Sequence, residues 1–112
     1  MGRSRINATL EALQQAGIRA QRGFPTEKMP YLTSSMVGVC IERMDATNTT
    51  LALRIYTPLQ QGGAACEDMA LLVAETLEPL GATYQIQNCS FDSKTALFHI
   101  TVLAIFQQKF TE

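Results

Sequence analysis

Chemistry in a folded chain needs a reactive side chain, a partner that tunes it and a third group that orients the pair. This sequence holds few such groups. Its only histidine is His99, and its three cysteines are Cys40, Cys66 and Cys89. His99 sits in an apolar run, Leu97-Phe-His-Ile-Thr-Val102, with no acidic residue next to it. A histidine so placed is expected to be packed and hydrogen-bonded rather than catalytic. Zinc or thiol chemistry would have to draw on Cys40, Cys89 and His99, which lack the close ligand pairs of zinc sites. Three widely spaced cysteines without a CxxC pair read as free thiols in a reducing compartment, with Cys40 and Cys66 as small buried hydrophobes.

Two further features could do chemistry. Gly62-Gly63 stands just before a helical pattern and could hold an anion on free backbone N–H groups. The run Gly-Gly-Ala-Ala-Cys-Glu lacks the lysine of a phosphate-binding P-loop and the third glycine of a dinucleotide fingerprint. Glu67 and Asp68 in the first helical turn would repel phosphate. The carboxylate pairs Glu67/Asp68 and Glu75/Glu78 fall on a solvated helix face, where nothing poises them for acid–base work. The residues therefore predict no catalytic site, no cofactor and no metal: the chain is not expected to be an enzyme. A small ligand-binding or regulatory α+β module using the Gly62-Gly63 loop is the alternative.

The elements that must position these groups are organised around residues 50–80. Leu51, Leu53 and Ile55 alternate with Ala52, Arg54 and Tyr56, the period of a half-buried strand over Thr50–Tyr56. Pro58 is expected to end it near Thr57. A helix over Ala64–Leu80 carries Met69, Val73, Leu77 and Leu80 on one stripe, flanked by Cys66, Leu72 and Thr76, with Pro79 and Gly81 as its stop. Leu71 breaks the pattern by falling on the acidic face, either as a singly exposed leucine or as a contact point for another subunit.

The flanks complete an α-β-β-α-β-β order. Ser4 caps a helix over Arg5–Ala16 (Ile6, Leu10, Leu13), which a narrow stripe places on the domain surface. Ile18–Gly23 reads as a short extended piece, and Phe24 to Tyr31 as a proline-bearing loop. Met36–Met44 is a strand with Val37, Val39 and Ile41 inward, joined to the next by Asp45–Thr49. Ala82–Asn88 alternates again, Cys89–Lys94 turns the chain, and Thr95–Gln107 returns. The predicted fold is one α+β domain over residues 1–112. It has two layers, a four-stranded, largely antiparallel sheet with one long helix packed on it and an added N-terminal helix.

At 112 residues and 46% hydrophobic content the chain can bury one modest core. No apolar run approaches the roughly 20 residues of a membrane helix, and no signal-peptide core is seen, so a soluble intracellular protein without a membrane partner is expected. Residues 1–54 hold seven Arg/Lys against four Asp/Glu, and residues 55–112 hold two against six. No basic patch with aromatics suggests sequence-specific nucleic-acid binding. The asymmetry suits head-to-tail contact between copies, or simply reflects an acidic solvated helix. The last strand is apolar on both faces, Leu103 and Ile105 lying on the second with His99. Two helices cannot easily cover both faces of the sheet, which points to self-association or to a loop folded over the spare face.

One stretch carries a resemblance. Ala-Gly-Ile after the first helix, Met-Pro-Tyr, Val-Gly-Val-Cys-Ile and above all Arg54-Ile-Tyr-Thr-Pro58 with Gly62-Gly63 and the following helix are the residues involved. Over nearly its whole length the chain resembles small tail-terminator and head–tail joining proteins of siphophages and prophages of Gram-positive bacteria. The resemblance implies a structural protein of the virion tail, assembled in the host cytoplasm. Its copies would form a ring, commonly a hexamer, that caps the tail tube and meets the head connector. Tail-tube protein, connector and further copies would be its partners, and DNA would pass the lumen unread. No family motif fixes the contacts. Surface logic names Leu71, Leu103 and Ile105, with Arg43 or Arg54 meeting Glu75 or Glu78.

Overall fold

The computed structural model describes residues 5–23, 32–44 and 49–106. In chain order the elements are α1 (Arg5–Gln15), β1 (Ala20–Arg22), β2 (Met36–Met44), β3 (Thr49–Pro58), α2 (Gly62–Leu77), β4 (Ala82–Ile86), β5 (Ser90–Asp92) and β6 (Leu97–Phe106). Short 3-10 turns at Leu59–Gln61 and Glu78–Leu80 flank α2. The expected Ser4 cap, the Phe24–Tyr31 loop, the 45–48 part of the hairpin loop and Gln107 lie outside the described residues. So do the side chains of Ile41, Glu42 and Arg43.

The domain is α+β, but the expected four-stranded, largely antiparallel sheet and the expected α-β-β-α-β-β order are both overturned: the order is α-β-β-β-α-β-β-β. Six strands form one mixed sheet in the order β1-β2-β3-β6-β4, with β5 also paired to β6. The expected extended piece at 18–23 becomes β1, which pairs parallel to β2 with Ala20 opposite Val37. Three residues carry no period that could announce a parallel partner so far along the chain, so only the fold reveals it. β3 extends through Pro58, opposite Leu97, rather than ending at Thr57. At the far edge, the expected turn over Cys89–Lys94 is itself partly strand. Ile86 pairs with Val102 and Ser90 with His99, so three residues (87–89) face two (100–101). This is a one-residue bulge in a single interrupted edge strand. The true turn follows at Ser93–Ala96, where Asp92 Oδ1 accepts from the Lys94 N–H at 2.9 Å and Ala96 has φ 57°.

Register sorts the side chains into two faces. Val37, Ile55 and Ile100 lie side by side, as do Val39, Leu53 and Val102, and all are buried beneath the helices. Both helices pack on this face and on each other. In α2 the buried residues are Cys66, Ala70, Val73, Ala74 and Leu77, whereas Leu72 is 42% exposed. The buried stripe is thus rotated by roughly 50° from the expected one, taking 100° per residue. Ala70 and Ala74 are the reason: small side chains let that flank approach the sheet. Leu80 leaves the stripe because the α-helix has already given way to the 3-10 turn.

α1 is not a surface appendage. Leu13 is fully buried, Ile6 and Leu10 join the core, and the Arg5 guanidinium stands 4.4 Å over the Phe106 ring. Thr9 faces the same way, buried, its hydroxyl without a hydrogen-bond partner among the described residues. A buried unsatisfied hydroxyl costs about 1 kcal/mol or more, and valine has the same shape without it. Thr9→Val is therefore expected to raise the melting temperature by a few degrees, measured by circular dichroism; a fall would show that the hydroxyl has a partner.

Candidate interaction surfaces

The sequence-named contact residues divide between the two outer sides of this two-layer domain. On the helix side, Leu71 is 54% exposed on α2, with Glu67, Asp68, Glu75 and Glu78 exposed beside it. On the far side of the sheet, Arg54 is exposed while Leu103 and Ile105 are half-buried. Arg43 also belongs to β2, but its side chain lies outside the description. No single copy brings the two sets together, because the sheet stands between them.

The far face is covered at one end only by described residues. Leu32, Met36, Tyr56 and Leu97 form a small buried cluster there. Polar contacts pin the segment that supplies Leu32. The Ser35 and Thr57 hydroxyls share a buried hydrogen bond of 2.9 Å, and Gln61 Nε2 donates to the Thr33 carbonyl at 2.8 Å. Arg19 reaches Ser34 Oγ at 3.5 Å. The expectations for this face are a loop folded over it or an apolar strip left open to another copy. The described residues combine them: a folded segment over Leu97, and half-exposed side chains at His99, Thr101, Leu103 and Ile105.

Beside that cluster lies a groove of about 330 Å³ lined by Arg54, Tyr56, Asp92, Thr95, His99 and Thr101, among others. The His99 ring sits 6.4 Å from that of Tyr56, tilted by 46°. Arginine, histidine and two threonines could receive an anionic group, with Asp92 opposing it. Sequence reading missed this grouping because the bulge and the turn after Asp92 decide where Asp92 and Thr95 fall.

Gly62 and Gly63 are not a loop before the helix but the first residues of α2, which starts two residues ahead of the expected Ala64 and has no acid in its first turn. Gly62 takes φ 87°, a left-handed conformation that glycine tolerates. Gly63 packs against the sheet edge: a Cβ there would stand in ordinary van der Waals contact with the Phe98 ring at 3.4 Å and Cys89 Sγ at 3.8 Å. Cys89 reaches this point because the bulge turns it toward the helix. Its signal was present in the sequence as a change of phase, from Ala82, Tyr84 and Ile86 at even positions to Cys89 and Phe91 at odd ones.

Cys66 lies one turn further along α2 and is fully buried. Burial pushes its thiol up to about 11; a hydrogen bond with Thr57 opposes the rise and the adjacent Cys89 thiol adds to it. A raised folded-state value means the folded protein keeps a proton that the unfolded chain loses. This contribution to stability is full below pH 9.0 and disappears as pH rises through about 11. The loss is on the order of 2 kcal/mol. Chemical denaturation of the wild type should show it across that window, and Cys66→Ala should flatten the slope; equal slopes would count against a buried, protonated thiol.

Among the described residues no group of three His, Cys, Asp or Glu side chains could hold a metal ion. No described helix is long and apolar enough to cross a membrane. No protein-family model matches the chain, and no curated protein matches it.

Proposed function

We propose that the chain is a non-enzymatic structural protein of a phage or prophage tail, a ring-forming tail terminator or head–tail joining protein that caps the tail tube. Copies of itself, the tail-tube protein and the head connector are its partners. The observation that carries this reading is the placement of two unlike, complementary surfaces on opposite sides of one thin domain. Acidic α2 with exposed Leu71 forms one; the sheet face with Arg54, Leu103 and Ile105 forms the other. A contact joining unlike surfaces is head-to-tail, and it generates a ring when the rotation between successive copies closes. Laying α2 of one copy on the open sheet of the next would also cover that face with a helix, as sheets in layered domains are covered.

Light scattering behind a sizing column, over a range of protein and salt concentrations, tests the reading. The expected result is a discrete multimer near six chains, as the resemblance implies, visible as rings by negative stain. Leu103→Glu should reduce it to a folded monomer. A strict monomer at high concentration would remove the support drawn from these surfaces.

The groove at Arg54 and His99 favours a second reading, a small ligand-binding or regulatory module. That reading would now rest on the far sheet face rather than on the Gly62-Gly63 loop, since Gly63 is engaged with Phe98 and Cys89. A monomer whose melting temperature rises with phosphate or a carboxylate, and loses that response in Arg54→Gln, would support it.

A further inference from the structure

We infer that Cys66 and Cys89 are an oxidisable thiol pair that closes a disulfide between α2 and the β4–β5 bulge when a peroxide reaches it. Both side chains lie on the helix side of the sheet: Cys66 follows Gly63 by one turn of α2, and Cys89 stands against that same turn. Cys89 Sγ abuts the first turn of α2, 3.8 Å from where a Cβ on Gly63 would stand. The third thiol, Cys40, is paired in register with Ala52 on the opposite face, so the sheet separates it from the other two.

The two thiols have unequal access, and this orders the steps. Cys89 is half-buried at the sheet edge, whereas Cys66 is enclosed between α2 and the sheet. Cys89 therefore meets the oxidant. Its thiolate sulfur attacks one peroxide oxygen; an S–O bond forms, the O–O bond breaks, and the departing hydroxide takes a proton to leave as water. The Cys66 sulfur then gives up its proton and attacks the Cys89 sulfur. The S–S bond forms as the S–O bond breaks, and the released hydroxide takes that proton as a second water. Two thiols are oxidised by two electrons and one hydrogen peroxide is reduced to two waters. A bulge is a suitable place for the partner, because an unpaired residue moves without breaking ladder hydrogen bonds. Closing the bond should fasten the edge strand to α2 and raise stability, since it removes chain freedom from the unfolded state.

The inference does not depend on the tail-protein reading and is tested on the folded full-length chain with equimolar hydrogen peroxide. Titration after denaturation should find three thiols reduced to one, with peptide mapping joining Cys66 to Cys89. Cys40→Ser should still form the bond, and both Cys89→Ser and Cys89→Ala should form none. The melting temperature of wild type should rise on oxidation and return on adding dithiothreitol. Any of three results overturns the inference: all three thiols survive, Cys40 enters the disulfide, or Cys89 advances to sulfinic acid while Cys66 stays reduced.

Discussion

Leu53→Ala should destabilise the protein by about 3 kcal/mol and lower its melting temperature by roughly 15 °C. Leu53 is fully buried at the middle of β3, the strand with neighbours on both sides from Thr49 to Tyr56. Val39 stands beside it on β2 and Val102 on β6, with the helix layer above. Removing its branched end deletes apolar burial and leaves a cavity that cannot collapse, because adjacent rows of Val37, Ile55 and Ile100 are themselves tied into the sheet. Leu72→Ala is the matched comparison. Leu72 is 42% exposed, and its loss should stay within about 0.5 kcal/mol. Urea titrations of both variants check the pair. Equal losses would mean that the register placing Leu53 beneath the helices is wrong.

Reversing charge on α2 should take the proposed ring apart, and reversing it on the sheet should restore it. Glu75 and Glu78 are exposed on the helix side, and Arg54 is exposed on the far face. If these surfaces meet between copies, Glu75→Lys with Glu78→Lys sets like charges against Arg54 and weakens association at least tenfold. Arg54→Glu alone should weaken it as well. The three substitutions together should recover much of the loss, because opposite charges face each other again, now exchanged between the partners. Sedimentation equilibrium at low and high salt reads the result. The recovery should be largest at low salt, where charges near a surface are least screened. A combined variant no better than its parents would place the contact elsewhere on the domain.

Much of the fold was legible before any coordinates. Alternation of Leu51, Leu53 and Ile55 with smaller or polar residues placed the central strand, and Val37 and Val39 placed its neighbour. The period-3.6 run after Gly63 placed the long helix, with Gly81 taking the left-handed φ of 86° that a stop requires. These are local properties: a repeat of two or of 3.6 within ten residues records which side of an element meets the core. The groups that chemistry would need were equally legible as few, since His99 has no acidic neighbour in sequence.

What only the tertiary structure decided are matters of which segment meets which. β1 gained its partner across a separation of more than a dozen residues, and no side-chain period encodes a parallel register over that distance. The rotation of α2 followed from Ala70 and Ala74, whose smallness matters only once a sheet is beneath them. The bulge at 87–89 turned Cys89 from an expected turn residue into a neighbour of Gly63 and Cys66. The contact candidates were named as one set, yet the sheet separates Leu71, Glu75 and Glu78 from Arg54, Leu103 and Ile105. A sequence specifies the faces of its elements through local spacing; the side of the molecule on which each face ends is fixed by packing between distant segments, and that belongs to the whole chain at once.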